Sequence, residues 1–299
     1  MGSVLAFDRK RVPRTRFFGA AIPTHQSIYN YASIVRHDSR TDFSCSGLPL
    51  VNLDGELIGL STTIAGVEGL ENGIGHVLPI DSNLRRTIET LRRGEEVEYG
   101  FLGVEWRDPG GIDSDIFVRI TPHGPAAQAG LLSDDRAIYR IIRIEGQRVR
   151  SYEDLLFFAG SALAGGRIRL EVQRSDGSWP RQEVNVTLGK YRRDTPFIAS
   201  SRPAATFGLR VDYGTILARG GFASAGVPPG VAVRELVPGS AAFNRFRALG
   251  ETSQWLITHV NGSPTSNPGD FYRLTTGQAS LKLSVLDLTT SARHSITLP

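Results

Sequence analysis

Apolar positions along this chain come in short runs, each broken by Gly, Pro, Asp or Asn within a few residues. That rhythm suits strands and tight turns better than long helices. The clearest instance is Val51-Asn52-Leu53-Asp54-Gly55-Glu56-Leu57-Ile58-Gly59-Leu60, where two apolar segments flank Asp54-Gly55. Asp-Gly tolerates the positive φ of a tight hairpin turn, so a hairpin is predicted there. Residues 81–95 read differently. Asp81 suits an N-cap, Leu84, Ile88 and Leu91 recur at helical spacing, and Gly94 supplies a stop, which predicts one helix.

Residues 99–190 and 206–298 repeat one order of features. First comes an apolar-Gly turn, Gly100-Phe101-Leu102-Gly103-Val104 and then Phe207-Gly208-Leu209. A strand follows that ends in a corner with paired alanines. It runs from Ile116–Ile120 to Pro125-Ala126-Ala127, and again from Val231–Leu236 to Ser240-Ala241-Ala242. The third feature is a strand ending in a turn, at Ile144-Glu145-Gly146 and Val260-Asn261-Gly262. The fourth is a short amphipathic helix near Ser151–Ala159 and Pro268–Leu274, followed by strands alternating with period two, Arg167–Val172 and Leu281–Val285. Corresponding points lie 105 to 116 residues apart. The spacing describes a duplicated domain of about 90 residues, not a short-period solenoid. Arg192–Ala205, rich in Arg, Ser and Pro, is the predicted linker.

Composition narrows the chemistry. Gly 33 and Pro 16 in 299 residues reinforce the turn-rich reading, and 40% hydrophobic with 21% charged residues is ordinary for a globular protein. The net charge of +4 is scattered in short clusters such as Arg85-Arg86, Arg92-Arg93 and Arg192-Arg193. A nucleic-acid binder concentrates its cations on one element or stripe, so a solvated basic surface and no nucleic-acid partner are expected. Cys45 is the single cysteine, which rules out an intrachain disulfide. Six histidines are scattered without metal-ligand spacing, and no Gly-rich phosphate loop precedes a Lys, so no metal and no cofactor are expected. No run of about 18–20 apolar residues exists, so no helical membrane span is expected. Met1–Phe7 is too short an apolar run for a signal peptide and is ended by Asp8-Arg9-Lys10-Arg11.

One segment points to a family. Ser44-Cys45-Ser46-Gly47-Leu48-Pro49-Leu50-Val51-Asn52 resembles the nucleophile segment of HtrA/Deg-type serine proteases, where the pattern is Gly-Asn-Ser-Gly-Gly-Pro-Leu-Val-Asn before a hairpin and a returning strand. Gly73-Ile74-Gly75-His76-Val77-Leu78-Pro79 resembles that family's Gly-Ile-Gly-Phe-Ala-Ile-Pro strand beside the substrate cleft. The helix and then Glu98–Val104 look like the family's junction into its first PDZ domain. The resemblance runs from about Val35 to the end. It implies a mainly β fold: the second β-barrel of a trypsin-like domain plus its helix over 1–95, PDZ-type domains over 96–191 and 206–299, and the linker 192–205.

Carried onto this sequence, the resemblance puts Ser46 at the nucleophile position and Ser44 at an oxyanion-hole backbone position. A serine hydroxyl needs a general base. In the family that base and its aspartate lie on a first barrel upstream, and the 45 residues before Ser46 are too few to hold one. His25 reads as an exposed loop residue, and His37, before Asp38, as part of the local loop. Ser44 and Leu48 stand where the family has Gly, whose backbone freedom the loop uses. Removing a triad base costs about 10⁶-fold, with about 10³–10⁴-fold over water left to the remaining groups. The expectation is an inactive chain with a vestigial Ser46, and Cys45 as a small buried residue rather than a thiol nucleophile.

The PDZ resemblance implies its own chemistry. Backbone N–H groups of Gly100, Phe101, Leu102, Gly103 and Val104 are expected to cradle a terminal carboxylate, with the neighbouring strand edge accepting the peptide. Leu155, Phe158 and Ala159 are candidates for the side-chain pocket, against ordinary core packing. The second copy, with Thr206-Phe207-Gly208-Leu209 and an insertion at Pro228-Pro229-Gly230, is expected to be weaker. Three functions follow: an endopeptidase whose first barrel is encoded upstream, a pseudoprotease scaffold or regulator of active relatives, or a truncated fragment. Expected partners are peptides or unfolded polypeptides, and a homo-oligomer or an active relative. The resemblance implies the bacterial envelope or periplasm.

Overall fold

The computed structural model describes residues 4–8, 16–17, 20–21, 34–39, 43–62, 75–107, 116–132, 137–150, 152–160, 162–177, 179–192, 199–218, 226–250 and 254–299. His25 and residues 193–198 of the predicted linker lie outside them. The fold is mainly β. The N-terminal sheet holds β1 (Val4–Asp8), β4 (Ile34–His37), β5 (Pro49–Val51), β6 (Leu57–Thr62) and β7 (Gly75–Pro79) in the order β1-β4-β7-β6-β5, all antiparallel. A short ribbon pairs β2 (Arg16–Phe17) with β3 (Ala20–Ala21).

The predicted hairpin joins β5 to β6. Gly55 takes φ +79, its N–H donates to the Asn52 carbonyl, and Asn52 Oδ1 accepts from the Asp54 and Glu56 N–H groups. The side chain thus shapes the turn that Asp54-Gly55 permits. The predicted helix, α1, covers Ser82–Arg92. Asp81 caps it by accepting from the Asn83 and Leu84 N–H groups, and Gly94 ends it at φ +71.

The repeated features give two sheets of the same layout. In the first repeat unit, β9 (Val104–Arg107), β10 (Ile116–Ile120), β11 (Ile138–Ile144), β13 (Arg167–Arg174) and β14 (Gln182–Thr187) run in the order β14-β13-β11-β10-β9, and β12 (Gln147–Arg148) pairs with β11. In the second, β16 (Leu209–Tyr213), β17 (Val231–Leu236), β18 (Trp255–Val260), β20 (Leu281–Asp287) and β21 (Arg293–Leu298) run β16-β17-β18-β20-β21, and β19 (Ser263–Pro264) pairs with β18. Period-two alternation places Ile168, Leu170 and Val172 in one core and Leu281, Leu283 and Val285 in the other.

Both alanine corners are helices. Pro125–Gln128 (α2) starts with Pro at N1, where a missing N–H costs nothing. Ala241–Leu249 (α4) is capped by Ser240 Oγ, which accepts from the Phe243 N–H, and buries Ala242 and Phe246. The two amphipathic helices are α3 (Tyr152–Gly160) and α5 (Pro268–Thr275). Outside the main sheets, β8 (Gly100–Phe101) pairs with β15 (Gly189–Lys190). Among the described residues, no helix is long and apolar enough to cross a membrane.

Candidate functional site

Ser46 lies in a turn after a 3-10 segment, Phe43–Cys45, and is exposed. The loop is pinned behind it: the Gly47 N–H donates to the Ser61 carbonyl, and the Leu48 N–H to that of Cys45. The Ser46 hydroxyl has no hydrogen-bond partner among the described residues. Leu48, standing where the resemblance has Gly, is 51% exposed. Cys45 is half-buried, not buried as expected, because the 3-10 turn ends at the surface.

His37 differs from its sequence reading as well. It closes strand β4 instead of sitting in a loop, and it is buried. Its ring lies over Gly75, its cross-strand partner, where an added Cβ would come within 2.0 Å of Cε1. Nδ1 accepts the Ser39 N–H, so the proton sits on Nε2, and buried Nε2 has no partner. Neither nitrogen is left to take a proton from a serine. His37 is a packing residue.

The Gly100–Val104 turn has the second constellation. Gly103 takes φ +75, and a Cβ there would meet Pro125 Cδ at 2.8 Å, so both backbone conformation and space require glycine. Carbonyls on this turn are used: the Ala126 N–H donates to Leu102 and the Thr121 N–H to Gly103. The N–H groups of Leu102 and Gly103, in contrast, have no partner among the described residues. The turn leads into β9, which ends its sheet, so the far edge of β9 carries no strand among the described residues. Helix α3 packs against β8. Phe158 on that helix is half-buried, with its ring 5.3 Å from Phe157, whereas Leu155 is 4% exposed and belongs to the core. Leu155 is therefore a core residue and not part of an exposed side-chain pocket. Tyr191, which sequence reasoning missed, stands 6.4 Å from the Phe101 ring.

The equivalent edge of the second unit is occupied from within. Along β16 the Leu209 N–H donates to the Thr206 carbonyl and the Tyr213 N–H to Asp212 Oδ1. The Val211 N–H faces the Tyr272 hydroxyl of α5 at 3.5 Å.

Where the units meet, an ion cluster forms around Lys190. Its Nζ donates to Glu96 at 2.8 Å, Glu98 at 3.1 Å and Asp212 at 2.8 Å. Arg234 approaches Asp212 at 3.7 Å and Glu96 at 4.0 Å. The Lys190 and Asp212 side chains are only 5% and 7% exposed. Burial works to lower the Lys190 pKa, but Asp212, with Glu96 and Glu98, outweighs it and the value rises. Burial raises the Glu98 pKa, with Lys190 opposing. Burial also raises Tyr213, helped by Glu98 and Asp212. No sequence signal marks this cluster, because its partners lie 22 to 94 residues from Lys190.

No family model matches the chain. Individual relatives do. The "Probable periplasmic serine endoprotease DegP-like" of Pseudomonas fluorescens is 28% identical over 287 residues, covering 91% of this chain and 56% of its own length. The chain is thus similar to proteins described as DegP-type serine endoproteases. It is also 30% identical over 168 residues to the "Periplasmic serine endoprotease DegP" of Escherichia coli, covering 53% of this chain and 34% of that one. Among solved structures it resembles "HtrA-type protease AlgW with tripeptide" at TM-score 0.45 and 24% identity, covering 65% of this chain and 60% of that one. It resembles "HtrA-type protease AlgW with decapeptide" at TM-score 0.41 and 26% identity, covering 55% and 50%. The chain thus spans from about a third to just over half of the length of these curated relatives.

Proposed function

We propose that this chain captures peptides or unfolded polypeptides through its first repeat unit and does not itself cleave them. On this reading residues 1–95 correspond to the second barrel of a trypsin-like domain and its helix. Residues 96–191 and 206–299 are PDZ-type domains, joined by 192–205. The observation that carries the reading is the Leu102 and Gly103 pair of N–H groups beside the edge of β9. A terminal carboxylate fits such a nest, and the strand edge accepts the peptide backbone. Phe101, Tyr191 and Phe158 supply an apolar wall for the last side chain. The second unit, whose edge is satisfied internally, serves as a docking module. Relatives described as periplasmic favour the bacterial envelope as the compartment.

Inactivity rests on Ser46 having no base within reach among the described residues, with His37 committed to packing. A second reading, endopeptidase activity, is favoured by the exposure of Ser46 on its turn. The two separate in one experiment. The purified chain is titrated with a peptide ending in an apolar residue and a carboxylate, with its amidated form as control, and treated in parallel with a fluorophosphonate probe. Binding of the carboxylate form alone, weakened at least tenfold by Phe101→Asp, with no labelling, is expected. Labelling of the parent that Ser46→Ala abolishes would replace this reading with the enzyme.

A further inference from the structure

Strand β15 is held on both sides. One side pairs with β8, Gly189 opposite Phe101 and Lys190 opposite Gly100. The other is held by the second unit, where a single hydroxyl makes two bonds: Thr215 Oγ1 accepts the Lys190 N–H at 2.9 Å and donates to the Lys190 carbonyl at 2.8 Å. The side chain of the same residue carries the ion cluster. Glu96 and Glu98 come from the segment leading into β8, and Asp212 comes from β16 of the second unit. Lys190 therefore ties three segments together at one point, and β8 is the strand from which the Leu102–Gly103 turn emerges. Tyr191, next along the chain, donates its N–H to the Tyr99 carbonyl and places its ring by Phe101.

We propose that the second unit is a positioning element for the carboxylate-binding turn of the first, acting through Thr215 and Asp212 on Lys190 and through β15 on β8. The proposal rests on the peptide-binding reading of the first unit but adds to it, since none of these three side chains lies on the turn. The two bonds from Thr215 fix the height of β15, and the buried pair with Asp212 fixes its lateral position. A polar pair removed from water holds one geometry firmly, because any displacement leaves a charge unpaired. Coupling of this kind is reciprocal, so a peptide that stiffens the turn also strengthens the contact between the units.

Three proteins of 299 residues test it: the parent, Thr215→Val, which keeps the shape and loses both bonds, and Thr215→Ser, which keeps the hydroxyl. Asp212→Asn is measured beside them as a third variant, and it also covers the case in which the valine protein fails to fold by circular dichroism. Amide hydrogen exchange is followed at Gly100, Leu102, Gly103 and Lys190 without peptide, and peptide affinity is measured by calorimetry. Thr215→Val is expected to exchange at least tenfold faster at the turn and to bind about tenfold more weakly, while Thr215→Ser behaves as the parent. Added peptide should slow exchange at the Lys190 amide in the parent. Unchanged turn exchange in both Thr215→Val and Asp212→Asn overturns the coupling, whether or not any peptide binds. Altered exchange with no peptide binding by the parent overturns the peptide-binding reading instead. Equal losses in the valine and serine variants assign the effect to packing and also overturn the positioning role.

Discussion

At the scale of single residues, close approach decides more than chemical type. Gly75 looks in the sequence like one more strand glycine, yet it is the floor on which the His37 ring rests. Gly75→Ala forces the ring and strand apart, and a loss of about 2 kcal/mol in denaturant unfolding is expected from such overpacking. A loss under about 0.5 kcal/mol would show that the ring moves aside. Gly103 was legible from the Gly-Phe-Leu-Gly-Val pattern because its φ is set locally. Lys190 was not legible. A lone lysine near the end of a strand reads as solvated, and only the meeting of Glu96, Glu98 and Asp212 around it makes it paired.

At the scale of elements, caps and turns followed the sequence and buried faces followed it less well. Asp81 caps α1 through two N–H groups, so Asp81→Ala is expected to cost about 1 kcal/mol in thermal or urea unfolding. Asp81→Asn, which keeps an acceptor, should recover most of it. The apolar spacing at Leu84, Ile88 and Leu91 gave the right helix, but Leu91 is 50% exposed and Thr90 is the buried residue, its hydroxyl donating to the Arg86 carbonyl. The Ser240-Ala241-Ala242 corner is the start of a nine-residue helix, capped by Ser240 and held by Phe246, which is buried beyond the window read as a corner. The face a short helix buries is chosen by what packs against it, which local periodicity does not contain.

At the scale of the whole molecule, apolar exposure and charge are unevenly placed. The hairpin of the N-terminal sheet shows Leu48, Val51, Leu53 and Leu57 at 51%, 52%, 84% and 44% exposure. Exposed apolar area of this kind favours association where it is contiguous. The junction between the repeat units carries a pH dependence. Glu98 has a pKa raised above its ordinary 4.5, so the folded state holds that proton more tightly than the unfolded chain. Its contribution to stability is fully present below 4.5 and is lost as pH rises through the raised value. Glu98→Gln stays neutral and should lack this component. The melting temperature of the variant relative to the parent is therefore expected to climb as pH rises from 4.5 into the neutral range. Parallel curves would remove Glu98 as the source.

What the amino-acid order determined alone is everything set within a few residues: the hairpin at Asp54-Gly55, the capped helix after Asp81, the period-two strands, the duplicated order of elements and the family resemblance of the Ser46 segment. What only the tertiary structure decided is which edges stay open and which ions meet. The edge of β16 is closed by a tyrosine of α5, and Lys190 is neutralised by carboxylates from both units. Backbone conformation is a local property of each residue and its neighbours. The pairing of a buried charge or of an edge N–H depends on groups far apart along the chain, and folding alone brings those together.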